Sequence, residues 1–424
     1  MKKLILYCLL ALFVQLNVNA QSISVETCQE KALSNYPLVK QYGLIEQTDQ
    51  FNISNANKGY LPQLSLSAKA TYQSAVTQIP AVLGQKLGVT LPSLAKDQYQ
   101  AVLEVNQVIW DGGVISTQKK INTAGTEVEK QKLEIDLYAL KDRVNQLFFG
   151  ILLLNEQLKQ NDILKNDLLT NFNRLIAYKQ NGIANQSDID AINVEQLNAN
   201  QHEDDLKSTR KSYRIMLSAL TGLNVNDQTE LTKPVIDFSV LKDSANNRPE
   251  LRLFEAQKNL YENQKLLLTA GNLPKIGAFI QGGYGQPGLN MFTIGFSPFY
   301  IGGIRLSWNI SGLYTQKNNI SKLELNKKTV DIQKETFLFN NKLITDQQQT
   351  EINKLQSTIT NDEEIIRLRV NIKKAATAKM ENGTSSISDL IREINAENQA
   401  RQLKSLHEIQ LFMTVYQLKN NSNN

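Results

Sequence analysis

The chain has 424 residues, of which 21% are charged, with a formal net charge of +5, two histidines and two cysteines. So mild a surplus implies no nucleic-acid partner, and the scattered His and Cys give no zinc-ligand spacing and no metal or cofactor. Beyond the leader no run of 18 or more apolar residues occurs, so no membrane-spanning helix is expected. At the N-terminus Lys2 and Lys3 precede an apolar run from Leu4 to Val14, then Val18-Asn19-Ala20. This is the pattern of a secretory signal peptide over residues 1–20. Cys8 sits inside the apolar run behind Tyr7, which does not suit lipidation. Loss of Lys2 and Lys3 lowers the charge from +5 to +3, and only Cys28 remains, so no intramolecular disulfide is possible.

All nine prolines fall between Pro37 and Pro92 or between Pro234 and Pro298. Proline inside a helix costs about 3 kcal/mol or more, so the proline-free stretches 93–233 and 299–424 are places for long helices. A helix is expected over about 24–58, followed by strands at 63–72 and 99–110, where apolar and polar residues alternate. A helix of 65 residues from Thr117 to Asn181, interrupted only by Gly150, would be roughly 97 Å long. It turns at Asn181-Gly182 and returns over about 186–221. The order then repeats: helix 249–271, strands about 275–284 and 301–310, a helix of roughly 105 Å over 313–382, a turn at Asn382-Gly383, and a return over 386–420. Ile352, Leu355, Ile359 and Ile366 recur on the long helix at coiled-coil spacing.

The halves align by offset. Asn35 and Pro37 face Asn247 and Pro249 at 212, as Leu61-Pro62 faces Leu273-Pro274. Trp110 faces Trp308 at 198, and Asn181-Gly182 faces Asn382-Gly383 at 201, as Ser187-Asp188 faces Ser388-Asp389. Landmarks in constant order mark an internal duplication. The first repeat is 21–222, a linker or equatorial segment covers 223–248, and the second repeat is 249–424, with tips near 181–187 and 382–388.

Alternation over about ten residues suits a transmembrane barrel strand and equally a half-buried soluble strand. Export, and the placing of Trp110 and Trp308 at strand ends as an interface pair, favour the barrel. Four strands cannot close one, and open sheet edges are not tolerated in lipid. Several chains would therefore share it; three would supply twelve strands, and two or four would also give an even number.

Arg248-Pro249-Glu250-Leu251, the Leu-Pro before each strand pair, the junction Gln107 to Gly113 and the paired tips Asn181–Asp188 and Asn382–Asp389 occur in order across the mature chain. Together they resemble the TolC family of outer-membrane efflux proteins. Val108 stands where that family commonly has proline, and the second junction, Trp308 to Gly312, has one glycine fewer. The resemblance implies a mainly α fold with membrane β structure: long antiparallel hairpins forming an α-barrel, and four strands per chain in a trimeric twelve-stranded β-barrel. It implies an outer-membrane exit duct reaching into the periplasm, a homotrimer embedded in outer-membrane lipid. Partners would be a periplasmic adaptor and an inner-membrane transporter of a tripartite efflux or type I secretion system. Conduction would be passive and the chain not an enzyme. A periplasmic adaptor with a single long hairpin is the alternative.

In that family acids near the helix starts at the periplasmic tip line the constriction. Asp389 matches such a position and Asp188 is its counterpart, with Asp190 weaker because its equivalent is Ile391. Arg392, one turn on from Asp389, could pair with it. The same Asp389 completes Ser386-x-x-Asp389, a capping-box pattern, so gate and cap stand side by side. Asn181, Gly182, Asn382 and Gly383 are the candidate adaptor contacts. His202 and His407 do not match in the repeat and are expected on helix surfaces. Gly282-Gly283-Tyr284-Gly285, with Pro287 and Gly288, is expected to form a hairpin tip.

Overall fold

The computed structural model describes residues 22–77, 82, 86, 88, 94–182, 184–236, 246–291, 293 and 295–422. The expected signal peptide lies outside them. The elements in chain order are α1 (Val25–Asn35), α2 (Gln41–Asn57), β1 (Gln63–Tyr72), β2 (Asp97–Trp110), α3 (Val114–Tyr138), α4 (Leu140–Gln180) and α5 (Gln186–Thr221). They continue with α6 (Pro249–Gly271), β3 (Lys275–Gln286), β4 (Ser297–Ser307), α7 (Leu313–Glu381) and α8 (Ile387–Ser422). Two compact units result, and each draws on both halves of the chain. One comprises Met1–Lys40, Leu133–Pro249 and Thr336–Asn424; the other comprises Gln41–Lys132 and Glu250–Glu335.

In the first unit the core forms where aromatic and aliphatic residues of α4 meet α1, α5 and α8. Val144, Phe148, Phe149 and Ile151 are fully buried with Val25, Cys28 and Leu217. Phe149 packs on Tyr416 with ring centroids 5.2 Å apart, and the Tyr416 hydroxyl donates to Glu26. Burial pushes the Cys28 thiol up to about 12, with the nearby Glu26 charge adding to the effect, so this cysteine is inert at neutral pH.

The expected 117–181 helix is broken, but not at Gly150. The break is at Ala139, and Gly150 lies inside α4. A Cβ there would stand 2.6 Å from Cε2 of Tyr213 on α5. The glycine is a socket for a ring from the return helix, which no local pattern reveals. Near the break, Arg248 stacks over Tyr138 at 4.7 Å, and both donate to the carbonyl of Asn420 on α8 (3.2 and 2.5 Å). The Arg-Pro-Glu-Leu motif thus satisfies an orphan carbonyl near the end of the last helix, while its Pro249 opens α6 at a position where proline is tolerated.

His407 is not an isolated surface residue. Its Nδ1 lies 2.6 Å from Oδ2 of the buried Asp362, so it joins α8 to α7. Of the coiled-coil positions on α7, Ile352 and Leu355 are buried, and Ile352 packs with Val415 and Leu418 of α8; Ile359 and Ile366 are half-buried.

The second unit holds one sheet with strand order β1-β2-β3-β4, antiparallel throughout. β4 begins and ends earlier than the spacing suggests, because Ile310–Gly312 form a 3₁₀ turn leading into α7. Gly282 to Gly285 are not a hairpin tip but lie within β3. A Cβ on Gly283 would sit 2.3 Å from the Phe299 ring of β4, so the glycine leaves room for an aromatic side chain across the ladder. Helices α6 and α7 are held in register by Glu255–Lys334 (2.7 Å), Lys258–Asp331 (2.8 Å), Glu262–Lys327 and Lys265–Glu324 (2.7 Å). Exposed pairs of this kind add little stability singly, but their regular spacing specifies one antiparallel alignment.

Candidate functional site

Side chains alternate across a strand, and paired residues share a face. The registers therefore sort the sheet into a mainly apolar face and a mainly polar one. On one face lie Leu64, Leu66, Ala68, Ala70 and Tyr72 of β1, and Tyr99, Ala101, Leu103 and Val105 of β2. Ile276, Ala278, Ile280 and Tyr284 of β3 and Tyr300, Ile304 and Leu306 of β4 continue it; its one charged residue is Asp97, at the end of β2 opposite Tyr72, and Gln107 and Gln286 also lie on it. The other face carries Ser65, Ser67, Lys69, Gln98, Gln100, Glu104, Asn106, Gln281 and Arg305, with Val102, Phe279, Phe299 and Ile301 among them. There Arg305 approaches Glu104 at 3.5 Å and lies over the Phe279 ring at 4.5 Å.

Burial follows the reverse of the soluble pattern. Tyr99, Ala101 and Leu103 are exposed while Gln98, Gln100 and Glu104 between them are half-covered. On β3, Ile280 and Tyr284 are exposed while Gln281 is half-covered. Leu66 and Ile304 are 76% and 75% exposed. A soluble antiparallel sheet turns its apolar face to a core and its polar face to water; outward apolar and inward polar faces are the arrangement of a membrane strand.

Aromatic residues stand at both ends of the apolar face. Tyr284 stacks on Phe296 at 5.5 Å, and Tyr99 lies 6.2 Å from the same ring. At the opposite end Trp110 closes β2, and Trp308, just past β4, donates its Nε1 hydrogen to the carbonyl of Asn272 (2.9 Å). The junction below is a backbone device. The Asp111 carboxylate accepts from the amides of Gly113 (2.9 Å) and Ile115 (2.6 Å) and starts α3, while Gly112 and Gly113 hold φ of +73° and +85°. At the Val108 departure the ladder to β3 shifts between Val108 and Trp110.

The two hairpin tips are built alike. Asn181 and Asn382 each donate from Nδ2 to the carbonyl four residues back, of Ala177 (2.9 Å) and Ala378 (2.8 Å). Gly182 and Gly383 follow at φ +74° and +68°, in the left-handed region that ends a helix. Asn185 and Asp188 then form a reciprocal capping box, each side chain bonding the other's amide at 3.0 Å. Ser386 and Asp389 repeat it at 3.2 and 3.3 Å, and the Asp389 carboxylate also accepts from the hydroxyls of Ser386 (2.8 Å) and Ser385 (3.2 Å).

Asp389 and Arg392 come together, Nη1 to Oδ1 at 3.1 Å. The Ser386 hydroxyl and amide, then Ser385, and Arg392 outweigh desolvation and hold the Asp389 carboxyl below the usual range. Its cap is therefore in place above the unfolded value of about 3.9 and is lost as pH falls through the lower folded value. Asp190 accepts from Gln186 Nε2 at 2.7 Å. No hydrogen bond or ion pair joins Asp188 to Asp389 among the described residues.

Both tips share one core, in which Leu168, Leu175, Ile189 and Ile192 pack with Met380, Ile387, Leu390 and Ile394. Above it Lys373 of α7 reaches Asp167 of α4 at 2.7 Å and the buried Glu397 of α8 at 2.6 Å, while Arg401 holds the other Glu397 oxygen at 2.7 Å. Arg174 meets Glu381 at 2.9 Å, Glu195 accepts from Asn395 at 3.2 Å, and Arg369 pairs with Glu393 at 3.3 Å. These links between and within the hairpins were missed from sequence. Only the Glu397–Arg401 spacing of four residues could have signalled one of them.

No family model and no curated protein matches the sequence. Solved structures match over nearly its whole length. The outer membrane protein VceC from Vibrio cholerae is 12% identical, with a TM-score of 0.65 over 93% of this chain and 94% of its own. The Campylobacter jejuni CmeC outer membrane channel is 13% identical, with a TM-score of 0.63 over 94% of this chain and 85% of its own. The open state of the Neisseria gonorrhoeae MtrE outer membrane channel is 12% identical, with a TM-score of 0.63 over 94% and 89%. The chain has the outer-membrane channel fold. The long hairpins and four strands per chain expected from the TolC resemblance are therefore those of the fold itself, and the adaptor layout with one hairpin does not describe it.

Proposed function

We propose that this protein is the outer-membrane exit duct of a tripartite efflux or type I secretion system and acts as a conduit rather than an enzyme. The observation that carries this reading is the inverted pattern of the central strands, where Tyr99, Ala101, Leu103, Ile280 and Tyr284 are exposed while Gln98, Gln100, Glu104 and Gln281 on the opposite face are half-covered. Four antiparallel strands leave β1 and β4 as open edges, and in hydrocarbon each unpaired backbone group costs several kcal/mol. Neighbouring copies close the edges, and three copies give a twelve-stranded barrel set in outer-membrane lipid. The helices then line a periplasmic duct that meets an adaptor and an inner-membrane transporter at the tips around Asn181-Gly182 and Asn382-Gly383. Electron microscopy of the full-length protein purified in detergent from membranes tests this: three-fold hollow particles are expected, whereas a protein that stays monomeric or never partitions into membranes refutes the shared barrel.

The tip acids serve two purposes in this reading. Asp389 and Asp188 cap their helices and, repeated around three copies, form carboxylate rings that favour cations. Arg392 offsets the Asp389 ring, and Asp190 adds a further charge on the first hairpin. Asp389→Asn is expected to lower cation preference in planar-bilayer recordings. Unchanged selectivity, with only earlier fraying of α8 by hydrogen exchange, would leave capping as its sole role.

A further inference from the structure

The first compact unit contains a polar cleft of 960 Å³ between α4, α5 and the loop that follows α5. Its charges are unevenly matched. Lys165 and Lys207 hold Glu203 and bring its pKa to about 2, and Glu156 is shared by Lys159 (3.0 Å) and Lys233 (3.2 Å). Two arginines, one turn apart on α5, have a single carboxylate between them. Asp227 Oδ1 lies 3.4 Å from Arg210 Nη2 and 3.8 Å from Arg214 Nε. Charge-assisted bonds normally run about 2.7–2.9 Å, so neither contact is a good one.

Arg214 is only 6% exposed, and it also donates from Nη1 to the Thr229 carbonyl at 3.2 Å. Arg210 donates from Nη1 to Asn155 (3.2 Å). Among the described residues, the Nε atoms of both arginines have no hydrogen-bond partner. Burial, and then the neighbouring Arg210 charge, depress the Arg214 pKa, with Asp227 only partly opposing them. A half-paired buried cation is costly. Asp227, by contrast, is 69% exposed and sits on the loop, so its carboxylate is free to swing away.

We propose that this cleft binds a ligand carboxylate, held by Arg210 and Arg214 in the place Asp227 now occupies. Asp162 and Glu230 line the same cleft and hold no ion pair among the described residues. They disfavour a multiply charged anion such as phosphate and favour a singly charged carboxylate on an otherwise neutral or cationic molecule. A peptide chain end and a sugar acid both present that chemistry.

Isothermal calorimetry on the detergent-solubilised full-length protein, with N-acetylglycine, glucuronate and inorganic phosphate as probes, tests the assignment. Saturable binding of at least one carboxylate is expected, and the preferred probe distinguishes peptide from sugar acid. Arg210→Gln removes a charge-assisted bond and weakens binding about tenfold or more. Asp227→Asn removes the internal competitor, so binding tightens by about threefold or more. No saturable carboxylate binding, phosphate binding more tightly than both carboxylates, or an Asp227→Asn variant that binds no better overturns the proposal.

Discussion

Ile280→Arg is expected to cost about 2–4 kcal/mol of folding free energy in a lipid bilayer, and Gln281→Arg close to nothing. The two residues are neighbours near the middle of β3, and opposite faces of the sheet carry them. Ile280 faces Val105 of β2 on the apolar side, where a guanidinium would meet hydrocarbon. Gln281 faces Glu104, on the side that bears Lys69 and Arg305, so an added arginine there meets an acid and water. In a soluble sheet whose apolar face is open to water, neither change would cost much. Urea titration of the protein refolded into lipid vesicles separates the cases. Equal tolerance of both arginines would remove the basis for a membrane sheet, because face-dependent cost is its direct physical consequence.

Lys373→Met should destabilise the tip end of the first unit by about 3 kcal/mol, the low end for breaking a buried ion pair from one side. Among the described residues Lys373 is the only cation paired with Asp167 and one of two held by the buried Glu397. Burial favours the neutral form of each partner of the Lys373–Glu397 pair. For Lys373 it is outweighed by Asp167 and Glu397, which leave the pKa raised; for Glu397 it is outweighed by Lys373 and Arg401, which leave the pKa lowered. The signs set the pH window. The Lys373 contribution is full below its unfolded value of about 10.4 and is lost as pH rises through the higher folded value. The Glu397 contribution is full above about 4.3 and is lost as pH falls through its lower folded value. Hydrogen exchange along α4, α7 and α8 at neutral pH should therefore report faster opening in the variant, concentrated near Asp167 and Glu397. Protection equal to the parent protein would show that Arg401 alone suffices.

Much of the tip was legible because its chemistry is local. Asn181-Gly182 and Asn382-Gly383 end helices through bonds spanning four residues, and each capping box closes over three. The Asp389–Arg392 pair is likewise one turn long. The gate reading of the same acids was not decided this way, since it depends on where several chains place them.

Errors arose where a residue answers to a distant partner. Gly150 resembles a helix interruption until Tyr213, sixty-three positions on, fills its missing side chain. Gly282 to Gly285 resemble a turn until Phe299 lies over Gly283. His407 resembles a surface residue until Asp362 approaches from α7.

The amino-acid sequence by itself determined the duplicated order of long helices and alternating strands, through proline exclusion, period-two patterning and helix-end chemistry. Each of these acts within a few residues of the chain. Only the tertiary structure decided which strand face is exposed, where α3 gives way to α4, and how Lys373 joins two hairpins. Those outcomes depend on ladder registers and on side chains far apart in sequence, whose contact energies exist only once the elements have packed.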